Sequence, residues 1–142
     1  MKEYFAIIGR VKTSLNGEVI EEKNLVVDDG KEQVAKAIAG DTDLQMPQYI
    51  AAGDSGDSAN LSQSDLQGTE LGRKEAQITR NLSSVEFFVE FEPGEATGSI
   101  RELGLFSGSS SGTMFSRVTP TERNKGEEDR LEITWTISIE NV

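Results

Sequence analysis

Three glutamates on strand-like stretches, Glu86, Glu90 and Glu102, are by type the side chains best suited to acid–base chemistry in this chain. Glycoside cleavage by paired carboxyls needs two of them roughly 5–10 Å apart across a sugar. On one extended strand, residues 86 and 90 stand about 13 Å apart at about 3.3 Å per residue, so they do not form that pair. Both read as ordinary exposed strand residues. Glu102 differs. Alternation places it with Ile100, Gly104 and Phe106, whereas Leu103 and Leu105 point the other way. With apolar residues on both faces the strand is expected to be covered on both sides, and a carboxylate there needs a partner. Arg73, Arg80 and Arg117 are the candidates. A structural ion pair of Glu102 with Arg73 or Arg117 is favoured over catalysis, because no second catalytic group is identifiable.

The remaining chemistry is sparse. Histidine and cysteine are both absent, which removes imidazole and thiolate metal sites, disulfides and the Ser-His and Cys-His nucleophile pairs. Asp54-Ser55-Gly56-Asp57-Ser58 gathers two carboxylates and two hydroxyls in one loop, but without the alternating ligands and distal glutamate of an EF-hand. A solvated polar loop is the plainer reading, and calcium binding there stays open. Gly53–Gly56 lacks both the glycine spacing and the following Lys-Ser/Thr of a phosphate loop. Tyr49 could stack on a sugar, but no group of aromatics accompanies it. The expectation is a protein that is not an enzyme and carries no cofactor.

The elements that would position these residues are mostly strands. Tyr4–Thr13 and Glu18–Val27 flank Asn16-Gly17, the strongest local hairpin signal, so residues 3–27 read as a β-hairpin. A helix is expected over Gly30–Ala39, capped by Asp29 with Glu32 three residues on. Val34, Ala35 and Ile38 form its apolar stripe, and Gly40 ends it. Gln48–Ala52 follows as a short strand. The stretch Asp54–Gly72 is long and polar for a loop in a compact domain, so it is expected to be functional or to be ordered by a neighbour. Its Leu61, Leu66 and Leu71 are candidate interaction points. Strands are expected again at Glu75–Asn81, Ser84–Phe91, Ser99–Phe106 and Thr113–Val118. In the second of these, Val85, Phe87 and Val89 face the core. The clearest segment is the last, where Leu131, Ile133, Trp135, Ile137 and Ile139 alternate with polar residues and read as a buried face. About eight strands and one short helix in 142 residues predict a mainly β fold, a two-layer antiparallel β-sandwich forming a single domain over residues 1–142.

Composition narrows the partners. The formal net charge is −11. Such a surface repels phosphate backbones, so no direct nucleic-acid contact is expected. The longest apolar runs are far shorter than the roughly 20 residues of a membrane-spanning helix, and no secretory signal is visible at the start.

Several stretches taken in order carry a family likeness. They are Asn24-Leu25-Val26-Val27 before a short Ala-rich helix ending Ala39-Gly40-Asp41; Tyr49-Ile50-Ala51-Ala52-Gly53; Leu71-Gly72-Arg73-Lys74; Gly98–Phe106 with Gly112–Val118; and Leu131–Ile137. From about residue 17 onward the chain resembles small virion proteins of tailed bacterial and archaeal viruses, capsid-decoration or tail-fibre-like modules. The resemblance implies a non-enzymatic structural protein that associates with copies of itself, as a homo-oligomer and by analogy a trimer, and docks on a major capsid protein or tail component. It also implies a place in the virion, after synthesis in the host cytoplasm. A capsid-decorating role is favoured over a tail-fibre or baseplate role because the chain ends just after its core strand. A carbohydrate-binding module is the reading from another class.

Overall fold

A computed structural model describes residues 4–142, so residue 3 of the expected hairpin and residues 1–3 of the expected domain lie outside the described residues. In chain order the elements are β1 (Phe5–Leu15), β2 (Glu18–Val26), α1 (Asp28–Ala39), β3 (Tyr49–Gly53), β4 (Glu70–Glu75), β5 (Gln77–Asn81), β6 (Ser84–Phe91), β7 (Gly98–Ile100), β8 (Glu102–Phe106), β9 (Met114–Val118), β10 (Arg123–Lys125) and β11 (Leu131–Asn141). The protein is mainly β with one helix, as the sequence predicts. Nine strands form one antiparallel sheet in the order β4-β3-β8-β9-β2-β1-β11-β6-β5, and β7 and β10 make a small second sheet. The large sheet curls until its halves face each other across a shared core, an arrangement close to a barrel.

The Asn-Gly signal holds at atomic level. Asn16 and Gly17 have φ of 49° and 91°, and Leu15 pairs with Glu18 across the turn. Positive φ at both central residues matches the right-handed twist of the flanking strands. β11 then lies between β1 and β6, with Trp135 opposite Val11 on one side and Phe87 on the other. Leu131, Ile133 and Trp135 are wholly buried, and Phe87, Val89 and Phe91 join them. Val85 and Ile137 are half-buried at the margin of this core. Ile139 departs from the expected buried face and is 49% exposed. It sits opposite Ile7, where β1 and β11 run beyond the strands that cover the core.

Four boundaries differ from the sequence reading, the first being the expected loop Asp54–Gly72, whose last three residues, 70–72, already belong to β4. The expected strand Glu75–Asn81 is two, because the chain bends at Ala76, whose N–H bonds to Gln48 O, and thereby passes from one end of the sheet to the other. The expected strand Ser99–Phe106 also breaks, at Arg101, whose N–H bonds to Gly53 O. Ile100 therefore turns into the main core instead of sharing a face with Glu102. The helix begins two residues early, with Val27 at the cap position and no side-chain cap. Asp28 and Asp29 lie inside its first turn, where the helix dipole favours them. Gly40 ends it in the left-handed conformation, as expected.

The helix face is the larger correction. Ala35 and Ile38 of the expected stripe are exposed, and the buried positions are Gly30 and Gln33. Gly30 lies against the β9 backbone so closely that a Cβ would meet Phe115 O at 2.2 Å. Gln33 Oε1 accepts the Gln45 N–H at 2.7 Å, fixing the connection to β3. Close backbone contact and one hydrogen bond dock the helix, with Val34 alone of the stripe reaching the core.

Candidate functional site

Glu102 opens β8 and Arg117 lies on the adjacent β9, both on the side of the sheet away from the main core. Both side chains are fully buried, 0% exposed. Glu102 Oε1 accepts from Arg117 Nε at 3.1 Å and Nη2 at 3.0 Å, a two-pronged contact. The same oxygen accepts the Gln67 N–H at 2.7 Å. Oε2 accepts the Ser55 N–H at 2.9 Å and the Gly68 N–H at 2.8 Å. Arg117 turns its remaining donor, Nη1, to Asp57 O at 2.8 Å and Gln63 Oε1 at 3.1 Å. A buried carboxylate and guanidinium thus bind five loop positions between them.

The sequence leaves two readings of this loop, functional or ordered by a neighbour. Its own chain orders it instead. Both ends close on Glu102, and Arg117 holds its middle. Gly53 and Gly68 make room: a Cβ on either would fall within 3.0 Å of the Glu102 carboxylate. Asp54 Oδ1 accepts the Thr69 N–H at 2.7 Å, which ties the two ends of the loop directly. Asp57 contributes its main chain to this arrangement, and among the described residues no three carboxylates converge as metal ligands.

The other candidate residues separate clearly. Arg73 does not reach Glu102. Its guanidinium donates to Glu70 at 2.6 Å, to Gly108 O at 2.9 Å and to Ser111 O at 3.1 Å, and it stacks 4.0 Å above the Phe106 ring. It pins the Ser-Gly loop before β9 to β4. Arg80 stays on exposed β5, donating to Leu82 O. Of the three loop leucines, Leu66 packs on the Val27, Ala51, Phe106 and Met114 cluster, and Leu71 packs on the main core. Leu61 alone is exposed, while its carbonyl accepts the Asp28 N–H. The set is therefore not one apolar surface. Glu86 faces a shallow polar groove with Arg10, Lys12 and Glu21, and Glu90 pairs with Arg130 at 3.2 Å.

Sequence reasoning missed two buried cations. Arg123 donates to Thr13 Oγ1, Thr13 O and Glu18 O, and Lys125 donates to Glu92 O. They sit in a run of charged residues that reads as solvent-exposed, and only the alternation of Arg123 and Lys125 around Asn124 hints at a strand. A second feature also escaped it, an apolar opening at one end of the curled sheet. It is a cavity of about 250 Å³ lined by Met46, Pro47, Ile78, Val85, Phe87, Phe115 and Ile137. Ile7, Ile139 and Phe5 continue the same face outward, with Phe5 70% exposed. No carboxylate lines this opening, although the chain has 25 acidic residues.

Glu102 is therefore a carboxylate with every lone pair occupied by the protein itself, which suits it to holding a loop and leaves it no approach to a substrate. Compared with protein families, with curated proteins and with solved structures, the chain matches none.

Proposed function

We propose that this protein is a non-enzymatic structural component of a tailed-virus particle, attached to the outer capsid shell and associating with copies of itself. The observation that carries the reading is the apolar open end of the sheet in an otherwise strongly acidic chain. Contiguous exposed apolar surface is one mark of a contact with another protein, a membrane or a ligand, and the first of these fits the resemblance. The ordered 54–69 loop supports it further, since a surface fixed from within is presented to a partner without an ordering cost on binding. The resemblance to small virion proteins supplies the kind of assembly. A place on the tail is the alternative within the same class.

The deciding experiment is a quantitative protein inventory of purified particles. Abundance comparable with the major capsid protein supports decoration of the shell. Abundance of a single ring supports the tail, and absence from washed particles overturns the proposal. The isolated chain is expected to turn over no glycan or ester, and reproducible turnover by the purified wild-type chain would contradict the non-enzymatic part.

A further inference from the structure

The large sheet has two edges, and they are treated differently. β4 is covered: Arg73 ties it to the 108–111 loop, a Cβ on Gly72 would meet Ala96 at 2.9 Å, and Leu71 packs under Gly98. β5 is bare, with all five residues, Gln77 to Asn81, exposed. Native sheets normally blunt such an edge with Pro, Lys, a bulge or a covering loop. Its only such protection is its shortness and the single charge of Arg80; it has no Pro, no bulge and no acidic residue.

The register defines what the edge offers. Asn81 pairs with Ser84 across the two-residue turn Leu82-Ser83, with Leu82 at φ 52°. In such a turn the flanking residues exchange both backbone hydrogen bonds. Asn81, Thr79 and Gln77 therefore spend their backbone groups on β6, and the N–H and C=O of Ile78 and Arg80 point outward. Two free residues flanking Thr79 make a self-complementary edge. With a two-fold axis at Thr79, Ile78 of one copy meets Arg80 of the other and the pattern closes on itself.

From this edge we infer that two copies of the chain join β5 to β5, antiparallel, about a two-fold axis through Thr79. Four backbone hydrogen bonds form, two at each Ile78–Arg80 pairing. Ile78, 48% exposed in one copy, lies on the face of the apolar opening, so the two openings merge into one strip across the joined sheets. Charge favours this contact: copies carrying net −11 repel over most of their surface, while β5 itself carries only Arg80, although Glu86 of β6 stands beside Thr79. The contact rests on the proposed self-association and gives it a two-fold in place of the three-fold expected by analogy.

The chain lacks cysteine, which makes the test clean. Thr79 is a non-hydrogen-bonded position across the proposed axis, where Cα atoms stand about 4.5 Å apart, within disulfide range. Thr79→Cys should cross-link to a covalent dimer under mild oxidation. Gln77→Cys, four residues out of register with its own copy, should stay monomeric. Arg80→Pro removes an outward N–H without touching the β6 ladder, so it should keep the monomer's circular dichroism and lose the dimer in native mass spectrometry. A wild-type chain that stays monomeric into the high micromolar range overturns the inference, as does equal cross-linking of the two cysteine variants. These measurements use the isolated chain, so failure of particle attachment registers separately as loss of the protein from washed particles.

Discussion

Replacing Glu102 by Gln changes one atom and should be among the most damaging substitutions in the protein. Both carboxylate oxygens act only as acceptors, Oε1 for Arg117 and Gln67, Oε2 for Ser55 and Gly68. An amide nitrogen in either position faces donors with another donor, so neither orientation of the glutamine satisfies the site. The charge that balances buried Arg117 is lost as well. Breaking a buried pair by removing one partner costs about 3–5 kcal/mol, and each backbone N–H left unpaired adds about 1–3 kcal/mol where water cannot reach it. A domain of this size has about 5–15 kcal/mol in total, so Glu102→Gln should lose a third or more of its stability in urea unfolding. The double variant Glu102→Leu with Arg117→Met separates charge from clasp. Removing both charges relieves the unbalanced ion, but the N–H groups of Ser55, Gln67 and Gly68 remain without an acceptor. Hydrogen exchange should then show those three amides opening while the β11 amides stay protected. The reasoning is refuted if Glu102→Gln unfolds within about 0.5 kcal/mol of the parent, or if the double variant protects the loop amides fully.

Trp135, wholly buried between Val11 and Phe87, should cost about 3–5 kcal/mol as Trp135→Ala, read from the urea midpoint. Ile139→Ser, at a half-exposed position outside the core, should shift it by less than about 1 kcal/mol, and parity between the two would misplace the end of the core. Glu140 is held down to about 2 by hydrogen bonds from Arg10 and then Ser138, against a usual value of 4.5. Its folded-state value is depressed, so its contribution is full above about 4.5 and fades as pH falls toward 2. Side-chain carboxyl NMR should place its midpoint near 2, and Arg10→Met should return it toward 4.5. Deleting Ser58–Gln67 removes Gln63 and Gln67, both partners of the buried pair, so it should lower stability as well as alter the surface.

What was legible in the sequence follows the range of the forces involved. β6 and β11 could be read because burial on one face imposes a two-residue period, and Asn16-Gly17 because φ is a local property. The need of Glu102 for a cation was legible for the same reason, apolar neighbours on both faces of its strand. Which arginine answered was not. Arg73 and Arg117 are both on strands near β8, and the choice depends on side-chain direction: Arg73 lies over Phe106, and Arg117 projects under the loop. The helix face failed because composition says nothing of a contact made by a missing side chain, and Gly30 is buried through its lack of a Cβ.

Under the proposed self-association, the loop and the open end together would give a polar, acidic chain one defined contact surface. A long Ser-, Asp- and Gly-rich segment has little apolar area with which to fix itself, and left free it would lose entropy on every contact it made. Here its backbone donors are matched to one carboxylate inside the protein, so its shape is set before any partner arrives. The carboxylates that remain on the surface keep copies apart by repulsion, with a range of about 8 Å at physiological salt. Contact is then cheapest where acidic groups are missing, at β5 and the apolar opening beside it. That distribution sets the sign of the salt response. Screening weakens the repulsion and leaves backbone hydrogen bonding and apolar burial largely intact, so association through β5 should strengthen as salt rises from about 20 to about 500 mM, over which the screening length falls from roughly 20 Å to roughly 4 Å. Analytical ultracentrifugation across that range decides it: a dimer that weakens with salt would point to an interface built on ion pairs, and the acid-free edge would not be the contact.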